Sequence, residues 1–191
     1  MLFRSDRWLR SIDAVMNFTL RDIVLGLARG ETPPDLALRQ TSQLVSDSGI
    51  VPMLKSWVLI DNHDIPRIAT QLPDEAQRRL VQALQFTLPG SPNLYYGAEL
   101  GMTGGPDPAN RGPMRWDLLR PGLPELQWTR HLIALRQQHR ALRVGDFVPV
   151  PSQRLFAFER RTDRALDSRL VVVNPGDTPV KERLMVPDAW L

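Results

Sequence analysis

Only three short apolar runs with strand character, each followed by a stretch of helical period, occupy the first 143 or so residues, and from Gly145 onward the pattern alternates with period two. Helix interleaved with strand, and then strand alone, predicts an α/β layer followed by a small all-β module. Three strands cannot close a (β/α)8 barrel, which takes roughly 250 residues. Standing alone they would leave a parallel sheet with two raw edges, an aggregation hazard. Either the sheet is a small doubly wound one, or the chain is a piece of a larger architecture.

The first run is Ser-Ile-Asp-Ala-Val-Met-Asn at residues 11–17. Thr19 reads as the N-cap of a helix carrying Leu20, Ile23, Val24 and Leu27, ending near Gly30. Pro33-Pro34 opens a second helix through Leu36, Leu38, Leu44 and Val45, stopped at Gly49. Trp57-Val58-Leu59-Ile60 suits a strand buried on both faces. Pro73-Asp74-Glu75 starts a helix that buries Leu80, Val81, Leu84 and Phe86. Gly90-Ser91-Pro92 reads as a turn and residues 93–96 as the third strand. A loop rich in Gly and Pro runs from Gly97 to about Pro124. A helix then extends from about Glu125 to His139, with Leu126, Leu132, Ile133 and Leu135 inward. Later strands fall at 147–150, 154–158, 170–173 and 180–186, with a turn at Asn174-Pro175-Gly176-Asp177.

Composition removes several classes. The chain has no cysteine, which excludes a disulfide scaffold and a thiolate metal site, and its three histidines (His63, His131, His139) leave little room for zinc. His131 and His139 lie eight apart on one helix and read as surface or core-edge residues. Net charge is +3, with basic and acidic residues interspersed, so no basic stripe marks a nucleic-acid partner. No apolar run approaches the ~18 residues of a membrane span. Met1–Asp6 turns polar at once and does not read as a secretory leader.

Two segments carry chemistry. Asn62-His63-Asp64, with Arg67, follows the run at 57–60, and strand C-termini are where parallel α/β folds gather binding and catalytic groups. Asp61, Asn62 and Asp64 also suit turn and cap positions ahead of Pro66, with His63 satisfied by backbone. The second segment is the loop at 101–116, where Asp107 accepts and Arg111 donates bidentately, a pairing suited to sugar hydroxyls. Gly104-Gly105 lacks the pattern of a phosphate-binding loop, and a structural Ω-loop is the plainer reading of this stretch. Trp116 and Trp128 are aromatic enough to stack on sugars, with packing the expected role.

Together these segments resemble the α-amylase superfamily, glycoside hydrolase family 13. Residues 57–70 resemble its seventh-strand segment with Asn-His-Asp. Pro89-Gly90-Ser91-Pro92-Asn93-Leu94-Tyr95-Tyr96-Gly97-Ala98-Glu99-Leu100-Gly101-Met102 resembles its eighth strand and the turn after it. Residues 103–116 are similar to the Gly-Gly-x-Asp-Pro-x-x-Arg loop of maltodextrin-active members of the cyclomaltodextrinase and neopullulanase type. Trp8-Leu9 with residues 12–17 is similar to the approach to the sixth strand, and residues 141–174 resemble the start of the β-sandwich domain C.

The resemblance implies residues 1–143 as about strands 6–8 of a (β/α)8 TIM barrel and 144–191 as the start of an incomplete all-β domain C. It implies Asp64 as the catalytic acid that stabilises an oxocarbenium-like transition state, and His63 as a hydrogen-bond partner of the glucose in the −1 subsite. Asp107 and Arg111 would bind the −2 glucose, and Arg67 would be a structural or subsite partner nearby. Tyr96, Gly97 and Glu99 would be structural, as would Asp13.

The implied reaction is retaining cleavage of α-1,4-glucosidic bonds in maltodextrins, cyclodextrins or starch. It needs a nucleophile and a general acid/base ~5–5.5 Å apart. In the family these follow the fourth and fifth strands, as an Arg-x-Asp segment and a Glu. Arg4-Ser5-Asp6 fits the first only superficially, since no apolar strand precedes it. The chain therefore reads as beginning just after the fifth strand and ending at Trp190-Leu191 short of a full domain C. Alone it is expected to be inactive, with an α-glucan oligosaccharide and the missing N-terminal barrel half as partners, and no nucleic acid or membrane. No cofactor or metal is implied; calcium in the parent and the compartment are left open. The alternatives are a non-enzymatic remnant or glucan-binding module pairing through its open sheet edge, and a self-contained α/β enzyme using His63 and Asp64 as a dyad. No Ser or Cys sits in a nucleophile-elbow setting to support the latter.

Overall fold

The computed structural model describes residues 14–186. Trp8-Leu9, Arg4-Ser5-Asp6, Asp13, the first part of the 11–17 run and Trp190-Leu191 lie outside them.

Three segments run parallel in one layer. The backbone of Asn17 donates to Trp57 O and that of Trp57 to Val15 O, which sets residues 15–17 beside β1 (Trp57–Leu59). β1 pairs in parallel with β2 (Ser91–Asn93), with Val58 opposite Pro92. Between them run α1 (Phe18–Ala28), α2 (Pro34–Ser48), α3 (Ile50–Lys55), α4 (Ile68–Gln71) and α5 (Glu75–Thr87). The alternation of strand and helix read from the sequence is therefore present.

Local chemistry explains several boundaries. α1 is capped by Asn17, whose Oδ1 accepts from the Leu20 amide, two residues before the expected Thr19. Both residue types cap well, and Asn17 prevails because it is also the end of the paired segment and is itself buried. α2 has Pro at its first position and Gly49 after its last, as expected. α5 starts from Asp74, which accepts from the Gln77 amide, and buries Val81, Leu84 and Phe86. Its Gln85 donates to Val58 O and Asn93 O, so one side chain from the helix ties the two strands together.

The third strand lies earlier than expected, at Ser91–Asn93 rather than 93–96. Gly90 permits this: a Cβ there would stand 2.4 Å from Val58 Cγ2 and 2.8 Å from Ser56 O, so the chain hugs β1 from its first residue. Trp57, expected to be buried on both faces, is exposed, while Val58, Leu59 and Ile60 are buried.

After β2, the loop with 3-10 turns at Ala98–Leu100, Ala109–Arg111 and Trp116–Leu118 leads to α6 (Pro124–Gln138) and α7 (Arg140–Val144). α6 buries Thr129 and Leu132, and Ile133, expected inward, faces out. An antiparallel sheet follows, β3 (Asp146–Pro149), β4 (Phe156–Arg161) and β5 (Arg169–Val173), in the order β3-β4-β5. The strand expected at 180–186 is not formed, because the alternating residues there meet no ladder among the described residues. The segment is held instead by Glu182, which accepts from Ser152 Oγ at 2.8 Å.

Phe147, Phe156 and Phe158 of this sheet share one apolar cluster with α1, α2 and α5. Arg160 adds a polar tie: its buried guanidinium donates to Thr87 O at the end of α5, to Leu142 O and to Gly145 O. Burial without a carboxylate partner pushes this arginine down to about 9.

Candidate active site

Both chemistry-bearing loops leave the C-terminal ends of neighbouring parallel strands, the first after β1 and the second after β2. The first turns sharply because its polar side chains bond its own backbone. Asn62 Oδ1 accepts from the Asp64 amide at 2.8 Å, and Asp61 Oδ2 accepts from the Ile68 amide at 2.7 Å. Asp61 and Asn62 are thereby buried, and His63 and Asp64 are pushed to the apex, each with a side chain 59% exposed. His63 Nε2 lies 3.3 Å from Asp64 Oδ1.

The second loop folds back over the first. Asn110, wholly buried, donates its side-chain amide to His63 O at 2.8 Å and to Ile65 O at 3.0 Å. Arg111 Nε donates to His63 O at 2.9 Å. The Arg67 amide donates to Gly104 O, and the Gly104 amide to Thr70 Oγ1. A Cβ on Gly104 would fall 2.8 Å from Ala109 O and 2.9 Å from Asn110 Cα, so only glycine lets the second loop fold this tightly on itself.

The charges meet in one cluster. Arg111 Nε is 2.9 Å from Asp107 Oδ1, and its Nη2 is 3.7 Å from Asp64 Oδ1, so one guanidinium spans two exposed carboxylates. Arg67 is different. It is 1% exposed, its guanidinium lies 4.5 Å from the ring centres of Tyr95 and Tyr96, and its Nη1 donates to Tyr96 O. Beneath the apex, burial pushes the Asp61 carboxyl up to about 6, against the Ile68 amide and the charges of Arg67 and Arg21, which favour its ionised form.

His63, Asp64, Asp107 and Arg111 are thus brought together, and Arg67 sits under them. Sequence reasoning missed the part Asn110 and Gly104 play in shaping the cluster, whereas Asp61, read as a turn or cap residue, does hold the Ile68 amide. A small amide inside a Gly- and Pro-rich loop is the one signal that would have pointed to Asn110, as a residue apt to satisfy loop carbonyls. Trp116, expected to pack, is 70% exposed on the same loop, whereas Trp128 is partly buried with Arg79 over its ring. Among the described residues no cluster of three or more His, Cys, Asp or Glu side chains is arranged to hold a metal ion. Exposed acceptors beside a forked donor are suited to neutral, hydroxyl-rich ligands.

The alpha amylase catalytic-domain family model matches residues 7–125. The chain belongs to the alpha-amylase family. A cyclomaltodextrinase of Geobacillus thermopakistaniensis is 39% identical over 144 residues, which are 73% of this chain and 24% of that protein. A maltogenic alpha-amylase of Bacillus acidopullulyticus is 33% identical over 154 residues, 75% of this chain and 25% of that protein. The chain therefore spans about a quarter of the length of these curated relatives.

Solved structures agree on the fold. The cyclic alpha-maltosyl-(1→6)-maltose hydrolase of Arthrobacter globiformis superposes with a TM-score of 0.81 at 29% identity, over 88% of this chain and 39% of that one. A maltogenic amylase from S. marinus gives 0.83 at 26% identity, over 94% and 26%. The chain is thus a partial α/β unit of the alpha-amylase catalytic fold.

Proposed function

We propose that this chain is the C-terminal part of a retaining glycoside hydrolase that cleaves α-1,4-glucosidic bonds of maltodextrins, cyclodextrins or starch. Residues 1–143 contribute about strands 6–8 of the barrel and 144–191 the start of the β-sandwich domain. The observation that carries this reading is the Arg111 guanidinium, which spans Asp64 and Asp107 while its Nε donates to the carbonyl of His63. The names of relatives, a cyclomaltodextrinase, a maltogenic alpha-amylase and a cyclic alpha-maltosyl-(1→6)-maltose hydrolase, support the substrate class.

In this reading Asp64 faces the anomeric carbon as positive charge develops there. An ionised carboxylate stabilises that charge more than it stabilises the neutral ground state, which is what lowers the barrier. His63 donates to a hydroxyl of the same glucose. Asp107 accepts from, and Arg111 donates to, the hydroxyls of the next ring, which sets the register of the chain across Asp64. Arg67, pressed between loop and tyrosines, supports the two strand ends from below and does not touch sugar.

A retaining mechanism also needs a nucleophile and a general acid on two carboxyls. In this reading both come from outside these 191 residues, whose Arg4-Ser5-Asp6 has no apolar run before it, and the chain alone binds without turnover. Calorimetric titration with maltotriose, paired with a reducing-sugar assay, tests this. Weak binding that is lost in Asp107→Ala and Arg111→Ala, with no hydrolysis, is the expected result. Hydrolysis by the lone chain at the rate of an intact enzyme would overturn it. Binding indifferent to the Asp107 and Arg111 substitutions would overturn the subsite assignment.

A further inference from the structure

Beneath the exposed pair His63–Asp64 lies an acid that the reaction does not use. Asp61 lies two residues after β1 and is 1% exposed. Its Oδ2 accepts from the amide of Ile68, the first residue of α4, whose preceding residue Arg67 offers no side-chain cap. This one bond joins the two ends of the turn that carries His63 and Asp64. The other oxygen, Oδ1, is buried with no hydrogen-bond partner among the described residues.

A second tie runs in parallel. Arg21, from α1, donates through Nε to Ile60 O at 2.9 Å and through Nη2 to Gln71 Oε1 at 2.7 Å, and Gln71 Nε2 donates to Pro66 O. One guanidinium thus grips the backbone just before the turn and a side chain just after it. The charged groups that bear on Asp61 are this Arg21, whose partner Asp22 is exposed, and Arg67 from the turn itself. His63, Asp64 and Arg111 lie at the solvent side.

We propose that Asp61 is a positioning residue: its ionised carboxylate holds the Ile68 amide, closes the turn, and fixes how His63 and Asp64 are presented, and this hold loosens when Asp61 takes up a proton. A carboxylate is the stronger acceptor for an amide than a neutral carboxyl. The ionised form has this advantage even though burial penalises its charge, which is why the Asp61 midpoint lies within reach of mildly acidic conditions, at about 6. The turn is therefore tightest above that midpoint and looser below it. This inference rests on the reading that the 61–67 turn presents the site, and it does not depend on which glucan is bound.

The test is an NMR titration of the full 191-residue chain from pH 7.5 to 4.5, following the Asp61 carboxyl carbon and the amides of Ile68, His63 and Asp64. A His63→Gln version is run alongside so that no imidazole proton contributes. The expected result is one shared step near pH 6 in all four signals, retained in His63→Gln and abolished at Ile68 and at positions 63 and 64 when Asp61→Asn is added to His63→Gln. A flat Ile68 amide through pH 6 would overturn the proposal. So would a step at positions 63 and 64 that survives unchanged when Asp61→Asn is combined with His63→Gln. Added maltotriose separates this from the glucan reading: shifts absent at His63 and Asp64 at every pH defeat that reading and leave the Asp61 result standing.

Discussion

Asn110 donates its side-chain amide to the main-chain carbonyl of His63 at 2.8 Å, so the loop after the second strand holds the residue that the loop after the first presents. The same amide reaches Ile65 O at 3.0 Å, and it does so from a fully buried position. The two halves of the site are therefore one folded unit rather than two independent loops.

Removing that amide takes the donor from Ile65 O and leaves His63 O with Arg111 Nε alone. Asn110→Ala is expected to destabilise the chain by about 1–3 kcal/mol, through the lost bonds and the gap left at a fully buried position. Urea denaturation followed by far-UV circular dichroism measures this, and a change within ~0.5 kcal/mol would show that the amide does not hold the loops together.

Gly104 and Gly105 form a matched pair for a second test. A methyl on Gly104 meets backbone at 2.8 and 2.9 Å, whereas a methyl on Gly105 meets nothing within 4 Å. Gly104→Ala is expected to cost about 1–3 kcal/mol through overpacking. Gly105→Ala should be close to neutral. Equal midpoints for the two variants in thermal denaturation would contradict the close approach.

The buried Asp61 makes stability depend on pH with a definite sign. Its folded value of about 6 lies above the ~3.9 of an unfolded aspartate, so the folded chain binds the proton more tightly. Stability contributed by this group is present below about pH 4 and is lost as pH rises toward 6. Asp61→Asn removes the buried charge and keeps an acceptor for Ile68. It should raise stability at pH 7 by on the order of 1–3 kcal/mol and flatten the pH dependence between 4 and 6. Parallel thermal melts of the two proteins at pH 4.5 and 7 check this, and a variant less stable at pH 7 would refute it. Together with the positioning role, this makes Asp61 a case of stability given up for site geometry.

How much of this could be read beforehand follows from where each signal lives. The ends of α2 and α5 were legible because Pro34, Gly49 and Asp74 act locally. β2 was displaced because Ser91 and Pro92 read as a turn, while tertiary contact with Val58 and the Gln85 amide makes them a strand. The alternation at 180–186 had the right period and no neighbouring ladder to pair with. His63, Asp64, Asp107 and Arg111 were legible because polar clusters after apolar runs break the local pattern. Asp61 was legible as a turn or cap residue and holds the Ile68 amide, whereas Asn110 and Gly104 act only once the loops have folded. No spacing in the sequence announces that.

Asp64 is expected to serve glucosidic bond cleavage once the rest of a barrel surrounds it. The direct measurement is to graft the matching part of this chain, 73% of it, onto the cyclomaltodextrinase of Geobacillus thermopakistaniensis in place of the segment it aligns with, and to compare maltotriose hydrolysis with and without Asp64→Asn. An active graft whose kcat falls by roughly 10²–10³-fold or more on Asp64→Asn, with KM little changed, is the predicted result. A graft in which Asp64→Asn leaves kcat within about tenfold would contradict the assignment.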